Sequence, residues 1–194
     1  MKAKQLLIVI VTLLFLQPNY LNAQSFKVKN YKMTVKGTST LHEWESVVEK
    51  LECKTSYKIE GDVLVDIKDA VVKIPLQSIK STKGKMMDNK TYNAFNYQKY
   101  PSIIFALSSK KINASNLTAD LKGSLAMAGI SKQVDLVANY KVLPNGDLQI
   151  IGSKKIKMTE FNIKPPTAMM GTIKVGDEVI ISFDIVLSST NTIL

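Results

Sequence analysis

Residues 37–45, GTSTLHEWE, hold the chain's only histidine, His42, and its only tryptophan, Trp44, two positions apart. Histidine is the one side chain that ordinarily titrates near neutrality, so His42 is the first acid–base candidate. A Ser-His-Asp triad would have to use it, yet no nucleophile signature accompanies it. There is no Gly-x-Ser-x-Gly elbow, and KSTKGK at 80–85 lacks the spacing of a phosphate loop. A pair of carboxylates for hydrolysis would have to come from distant strands. Cys53 is the only cysteine, which rules out a disulfide within the chain. One His and one Cys cannot complete a closed zinc site of the His/Cys type. A free cysteine usually packs as a small hydrophobe, and Cys53 is read as an inert wall residue. No cofactor and no metal are indicated, and the favoured reading is a protein that is not an enzyme.

The elements that must position these residues are strands. From Leu117 to Met127 the odd positions are Leu, Ala, Leu, Gly, Leu and Met, and the even ones are mostly polar. That alternation marks a strand with one buried face. Val134 to Val142 and Val179 to Leu187 repeat it. Further strands are expected at 26–37, 43–60, 69–79, 102–110 and 147–158. Pro144-Asn145-Gly146-Asp147 reads as a hairpin turn, because Asn-Gly accepts the positive φ such turns need. About eight antiparallel strands with short connections suit an up-and-down barrel or a sandwich.

Two segments break the alternation. MMDNKTYNAFNYQKYP, 86–101, is read as a short helix near 88–96, with Asp88 as its cap and Tyr92 and Phe95 on one face. Such a helix either plugs one end of a barrel or packs outside it. The connection at 158–178 contains Pro165-Pro166, Gly171, Gly176, Phe161 and Met169-Met170. A connection that long is often a lid or binding loop, and methionine re-packs around variable apolar ligands. The same residues could equally close the bottom of a core. The lysines at 80–85 either receive a phosphate headgroup or form a solvated basic loop.

The first 23 residues are assigned to a signal peptide. Lys2 and Lys4 precede an apolar run, Leu6 to Leu16, that is too short for a membrane span, and Ala23 offers a small residue for cleavage. The remainder, 24–194, is one domain, periplasmic or secreted. The formal net charge of +10 becomes +8 once Lys2 and Lys4 are removed. Dispersed lysines favour solubility and a transient contact with a membrane surface. Nucleic acid is not an expected partner, given an export signal and no binding motif. A homodimer is compatible with the sequence.

A more specific likeness lies in the middle of the chain. KYPSIIFALSSKKI at 99–112, followed by LTADLKGSLAMAGISKQVDLVANY at 117–140, resembles the YceI-like family of exported proteins. The family's aromatic segment, Tyr-Pro-x-Ile-x-Phe strand and Leu-x-Gly-x-Leu-x-x-x-Gly-x-x-x-x-Val hairpin correspond to Ala94-Phe95, Tyr100 to Phe105, and Leu121, Gly123, Leu125, Gly129 and Val134. Val175-Gly176-Asp177-Glu178-Val179 fits the entry to its final strand. Many members carry an Arg-Asp-x-His-Leu run before the helix, where this chain has Lys85-Met86-Met87-Asp88-Asn89. The resemblance implies an all-β fold, an eight-stranded antiparallel lipocalin-like barrel with a short inserted helix. It also implies a long hydrophobic pore for polyisoprenoid chains, isoprenoid quinones or other long amphiphiles.

The expected function is therefore that of a binding protein holding a long-chain lipid or isoprenoid. Strand parity and the loop argument propose the pocket residues His42, Trp44, Phe95, Phe105, Met127, Phe161, Met169, Met170 and Phe183. In an extended 37–45 segment Thr40, His42 and Trp44 share a face opposite Glu43 and Glu45, which sends the pair inward or to a rim. Two alternatives remain: a lipid-modifying enzyme using His42, and a barrel filled by its own side chains with a structural or interaction role.

Overall fold

The computed structural model describes residues 26–189. The proposed leader at 1–23 lies outside them. Alternating strands dominate: β1 (Phe26–Ser39), β2 (Trp44–Val48), β3 (Glu52–Glu60), β4 (Val63–Pro75), β5 (Ile79–Ser81), β6 (Ser102–Asn113), β7 (Thr118–Met127), β8 (Ile130–Val142), β9 (Leu148–Lys157), β10 (Thr167–Ala168) and β11 (Ile173–Ser189). One helix, α1 (Lys85–Ala94), interrupts them between β5 and β6.

All the ladders are antiparallel, in the order β3-β4-β6-β7-β8-β9-β11-β1-β2-β5. The two ends of that path meet because β2 and β3 are one interrupted strand. β2 pairs with the second half of β1, Gly37 opposite Trp44, while β3 turns away to pair with β4. Side chains bridge the seam. The Tyr31 hydroxyl donates to the Glu49 carbonyl at 2.7 Å, and the Tyr57 hydroxyl donates to the Leu187 carbonyl at 3.2 Å. The eight long strand lines thus curl into a lipocalin-like barrel, with β5 and β10 as short additions.

Several boundaries differ from the sequence expectation. The strand expected at 43–60 breaks at residues 49–51, where Leu51 is buried in the core. The strand expected at 69–79 is β4, which starts at Val63, and the alternation is interrupted near Asp69, a non-glycine residue at φ 52°. The helix spans 85–94 rather than 88–96, because Gly84 at φ 90° makes the turn into it and Asn96 at φ 52° follows its end. Asp88 is not its cap. Its carboxylate accepts the Ser81 backbone N–H at 2.6 Å and so ties the first turn of α1 to β5. The connection expected to run to residue 178 ends at Thr172, since β11 begins at Ile173.

Packing is uneven along the barrel axis. At the end bearing the β8–β9 hairpin, Leu148 pairs with Leu187 and shares a cluster with Leu64, Ala138 and Tyr140, all buried. The hairpin is closed as its sequence suggests, with Gly146 at φ 81° and Asn145 bonded to Asp147. Near the other end a second cluster joins Leu125, Met127, Ile156, Met158, Phe161, Ile163 and Val179. Phe95, Ile103 and Ile181 pack against both clusters, and beside them the inward side chains leave a space open.

Candidate functional site: an apolar lumen with a basic rim

The inward faces enclose a cavity of about 440 Å³. That is within the ~300–1,000 Å³ range of pockets that bury a small molecule. Its wall is aliphatic and aromatic over most of its area, running from Met33 and Val35 on β1 across Ile103, Leu121, Leu136 and Ile150 to Ile181 and Leu187 on β11. The filled-barrel alternative does not describe this interior.

Three rings in the wall share one arrangement. Trp44 lies over Gly37, Phe105 over Gly123 and Phe183 over Gly152, so that a Cβ at any of these glycines would collide with the ring. Gly37–Trp44 and Gly152–Phe183 are direct cross-strand partners. A glycine opposite an aromatic lets the ring lie flat against the sheet and cover a stretch of bare backbone. The volume that a ring would occupy if it stood upright in the lumen is left open.

The mouth is formed by the β1–β2 turn, α1 and the segment leading into β11. Ser39, Leu41 and His42 border it on one side, Lys83, Met87, Lys90 and Thr91 on another, and Ile163, Pro166, Thr167 and Ile173 on the third. The helix is therefore an end piece rather than an outer-wall element. The Lys90 ammonium donates to the Thr167 carbonyl at 2.8 Å, which links helix to β10 across the opening. The Thr40 hydroxyl accepts the Lys174 backbone N–H at 3.3 Å and joins the β1–β2 turn to the start of β11.

Of the nine expected pocket residues, His42, Trp44, Phe95, Phe105, Met127 and Phe183 border the cavity. Phe161 does not. It is wholly buried beneath the lumen wall in the second cluster, where it anchors the connection after β9. Met169 and Met170 do not either; both are exposed beside the mouth, at left-handed φ of 48° and 54°. Sequence reasoning treated that connection as one apolar unit, whereas its first half packs inward and its second half faces out. It also passed over Lys154, although the even-numbered parity of β9 was readable from Ile150, Gly152 and Ile156.

The titratable groups offer little chemistry. His42 is exposed at the rim, and its Nδ1 lies 2.7 Å from the Glu43 carbonyl. A carbonyl only accepts, so Nδ1 carries the proton in that bond. No acid orients the ring among the described residues, as a triad would require. The Trp44 indole N–H donates to the Thr38 carbonyl at 3.0 Å, so the pair is held to the rim by the backbone beside it. Burial pushes the Cys53 thiol up to about 11, which keeps it protonated and unreactive near neutrality. Among the described residues there is no cluster of ligands for a metal ion, and no helix is long and apolar enough to cross a membrane.

In the lysine-rich segment, Lys80 donates to the Tyr92 hydroxyl at 2.9 Å and lies 3.9 Å from Asp88. The hydrogen bond to Tyr92 raises its pKa, with Asp88 and Glu49 adding to the effect. Lys80 is thus part of the helix mounting, while Lys83 faces the mouth.

Comparison with known proteins places the fold. The family model of the YceI-like domain matches residues 19–187. BcnA of Burkholderia cenocepacia has a crystal structure similar over 81% of this chain and 96% of its own, with TM-score 0.66 and 18% identity. A polyisoprenoid-binding domain from Saccharophagus degradans, implicated in plant cell wall breakdown, is similar over 86% of this chain and 98% of its own, with TM-score 0.66 and 12% identity. The YceI protein of Campylobacter jejuni follows at TM-score 0.54 and 22% identity, over 74% and 85% of the two chains. No curated protein matches the sequence.

Proposed function

The chain belongs to the YceI-like family, and on that footing we propose that it is an exported carrier that holds a long apolar or amphiphilic chain inside its barrel. The observation that supports this reading is the lumen itself: a hollow, almost wholly apolar space kept open by rings laid over glycines. Removing apolar surface from water is worth about 25 cal/mol per Å², so a prenyl or acyl tail gains affinity from the wall without many polar contacts. Part of that gain is offset by the cost of ordering the tail. Polyisoprenoids, isoprenoid quinones and fatty-acyl lipids all have suitable tails. Export to the periplasm or outside the cell rests on the Lys2/Lys4 and Leu6–Leu16 pattern of the leader. His42 has neither an orienting acid nor a buried position, and no observation favours the enzymatic alternative.

The mouth is the end through which a chain would load. Leu41, Met86, Met169 and Met170 are exposed around it, with Lys83, Lys85 and Lys174 among them. Exposed apolar side chains beside lysines suit transient contact with an anionic bilayer surface.

Native mass spectrometry of the protein purified from its own source tests the carrier reading. The expected result is a bound lipid whose mass identifies the chain. Protein that carries no lipid and takes up neither prenyl nor acyl probes would overturn it.

A further inference from the structure

The residues bordering the cavity include His42, Lys83, Lys90 and Lys154, and no Asp or Glu. Three of these four stand at the mouth, and Lys154 does not. In β9 the even positions Ile150, Gly152 and Ile156 face the lumen, and Lys154 falls in the same series. Its odd-numbered neighbour Lys155 faces solvent and meets Glu178 at 2.9 Å. Lys154 has no ion pair and no hydrogen-bond acceptor among the described residues. Its cross-strand partner is Ile181, and Leu136, Ile150 and Ile156 border the same space. An ammonium beside aliphatic walls is unfavourable unless an opposite charge joins it. A carrier needing only an apolar tube would be better served by Leu or Ile at this position.

The cavity continues past Lys154 toward the closed end. Register pairs Lys154 with Ile181 and Leu148 with Leu187, six residues further along β11. At ~3.3 Å per residue that is on the order of 20 Å of strand, the length scale of a long acyl chain. Ile185 and Leu187 still border the cavity at that depth.

We propose that Lys154 seats the anionic head, a carboxylate or a phosphate monoester, of a single-chain amphiphile whose tail lies in the lumen toward Leu187. Lys83 and Lys90 draw the anion to the mouth, and Lys154 receives it as the tail enters. This rests on the carrier reading above and narrows it: a neutral polyprenol or a quinone fills the same tube but leaves the ammonium unpaired.

The test compares oleate, oleyl phosphate, oleyl alcohol and oleylamine as competitors of a fluorescent acyl probe on the delipidated protein. Oleate or oleyl phosphate, or both, are expected to bind at least about tenfold more tightly than oleyl alcohol, with oleylamine weakest; a hydrogen bond between charged groups is worth about that much. The ratio of oleate to oleyl phosphate distinguishes the two anions. Lys154→Met is expected to bring acid and alcohol within about threefold while alcohol binding persists, which also shows that the variant folds. Lys154→Arg keeps the charge and should keep the preference. Equal binding of acid and alcohol by the parent protein overturns the assignment and leaves the carrier reading standing. A preference that survives Lys154→Met but disappears in Lys83→Ser/Lys90→Ser overturns the role of Lys154 in favour of the rim. Failure of every ligand, alcohol included, overturns the carrier reading itself. Should Lys154→Met not fold, Lys154→Gln replaces it, and the parent's acid-to-alcohol ratio remains decisive.

Discussion

Leu148 and Leu187 face each other across the β9–β11 pair at the closed end, and neither exposes more than 2% of its surface. Further along the same two strands, Ile181 and Phe183 point toward the same interior and are only half-buried. All four residues sit in one register, with one alternation and comparable hydrophobicity. What separates them is what stands opposite: Leu148 and Leu187 face each other at the closed end, whereas over the lumen Phe183 lies on Gly152 and Ile181 faces Lys154. The closed end carries the stability of an ordinary core, and the lumen gives up part of that packing for space. In the carrier reading, that space is where the ligand lies.

The largest expected effect probes the closed end. Leu148→Ala should cost about 2–5 kcal/mol in urea unfolding, the range for a fully buried leucine that leaves a cavity. Ile181→Ala, beside a cavity that already exists, should cost much less. Equal losses would mean that the lumen is as tightly packed as the end, and the contrast would fail.

Gly152→Ala acts on the lumen alone, while Gly123→Ala also brings its methyl within 2.7 Å of the Ala106 carbonyl and should cost stability as well. In a strand this change normally helps or is neutral, but here the added methyl pushes Phe183 or Phe105 off the wall and into the open volume. Affinity for an acyl probe should fall roughly tenfold in both, about 1.4 kcal/mol, with the unfolding midpoint nearly unchanged in Gly152→Ala. Probe titration on the two variants checks it.

Cys53 sharpens the contrast from the wall between the two regions. Burial raises its thiol from an ordinary 9.0 to about 11 in the folded protein. A raised pKa means that this group favours the fold fully below pH 9 and that the contribution is lost as pH rises toward 11. Stability at pH 10 should therefore be lower than at pH 8, with a share from this group on the order of 1 kcal/mol. Cys53→Ala should remove that share of the slope. Tyr57, raised to about 12 first by burial and then by the nearby Asp147, adds its own fall only at still higher pH.

The smallest effect belongs to the rim. Leu41→Ser with Met170→Ser should leave stability within about 0.5 kcal/mol, as surface changes do. Transfer of an acyl probe from anionic vesicles should slow several-fold, measured by stopped-flow fluorescence. An unchanged rate would remove the bilayer-contact part of the proposal and leave the lumen untouched.

Much of the barrel was legible because period-two alternation is a direct imprint of a sheet with one buried face. The runs at 134–142 and 179–187 lie within β8 and β11, that at 117–127 is β7 apart from Leu117, which sits in left-handed backbone before it, and the Asn-Gly turn closes the β8–β9 hairpin. The helix was legible in kind but not in its start. Gly84, a turn glycine, opens it, and Asp88 bonds to a strand rather than capping. The split of the Met158–Thr172 connection was not legible, because burying Phe161 and Ile163 while exposing Met169 and Met170 depends on where β9 ends in space. Parity over an extended 37–45 segment put His42 and Trp44 on one face, whereas residues 40–43 form the turn between β1 and β2; both side chains reach the rim all the same, held by the carbonyls of Glu43 and Thr38.

The sequence by itself determined an all-β chain, its turns, the scarcity of catalytic groups and the single thiol, because these follow from residue types and local period. The tertiary structure decided that the barrel is hollow, since emptiness depends on which residue faces which across strands distant in sequence. It also decided that Lys154 borders that hollow. One lysine in an alternating strand is unremarkable until the opposing walls are known to be apolar and free of acids.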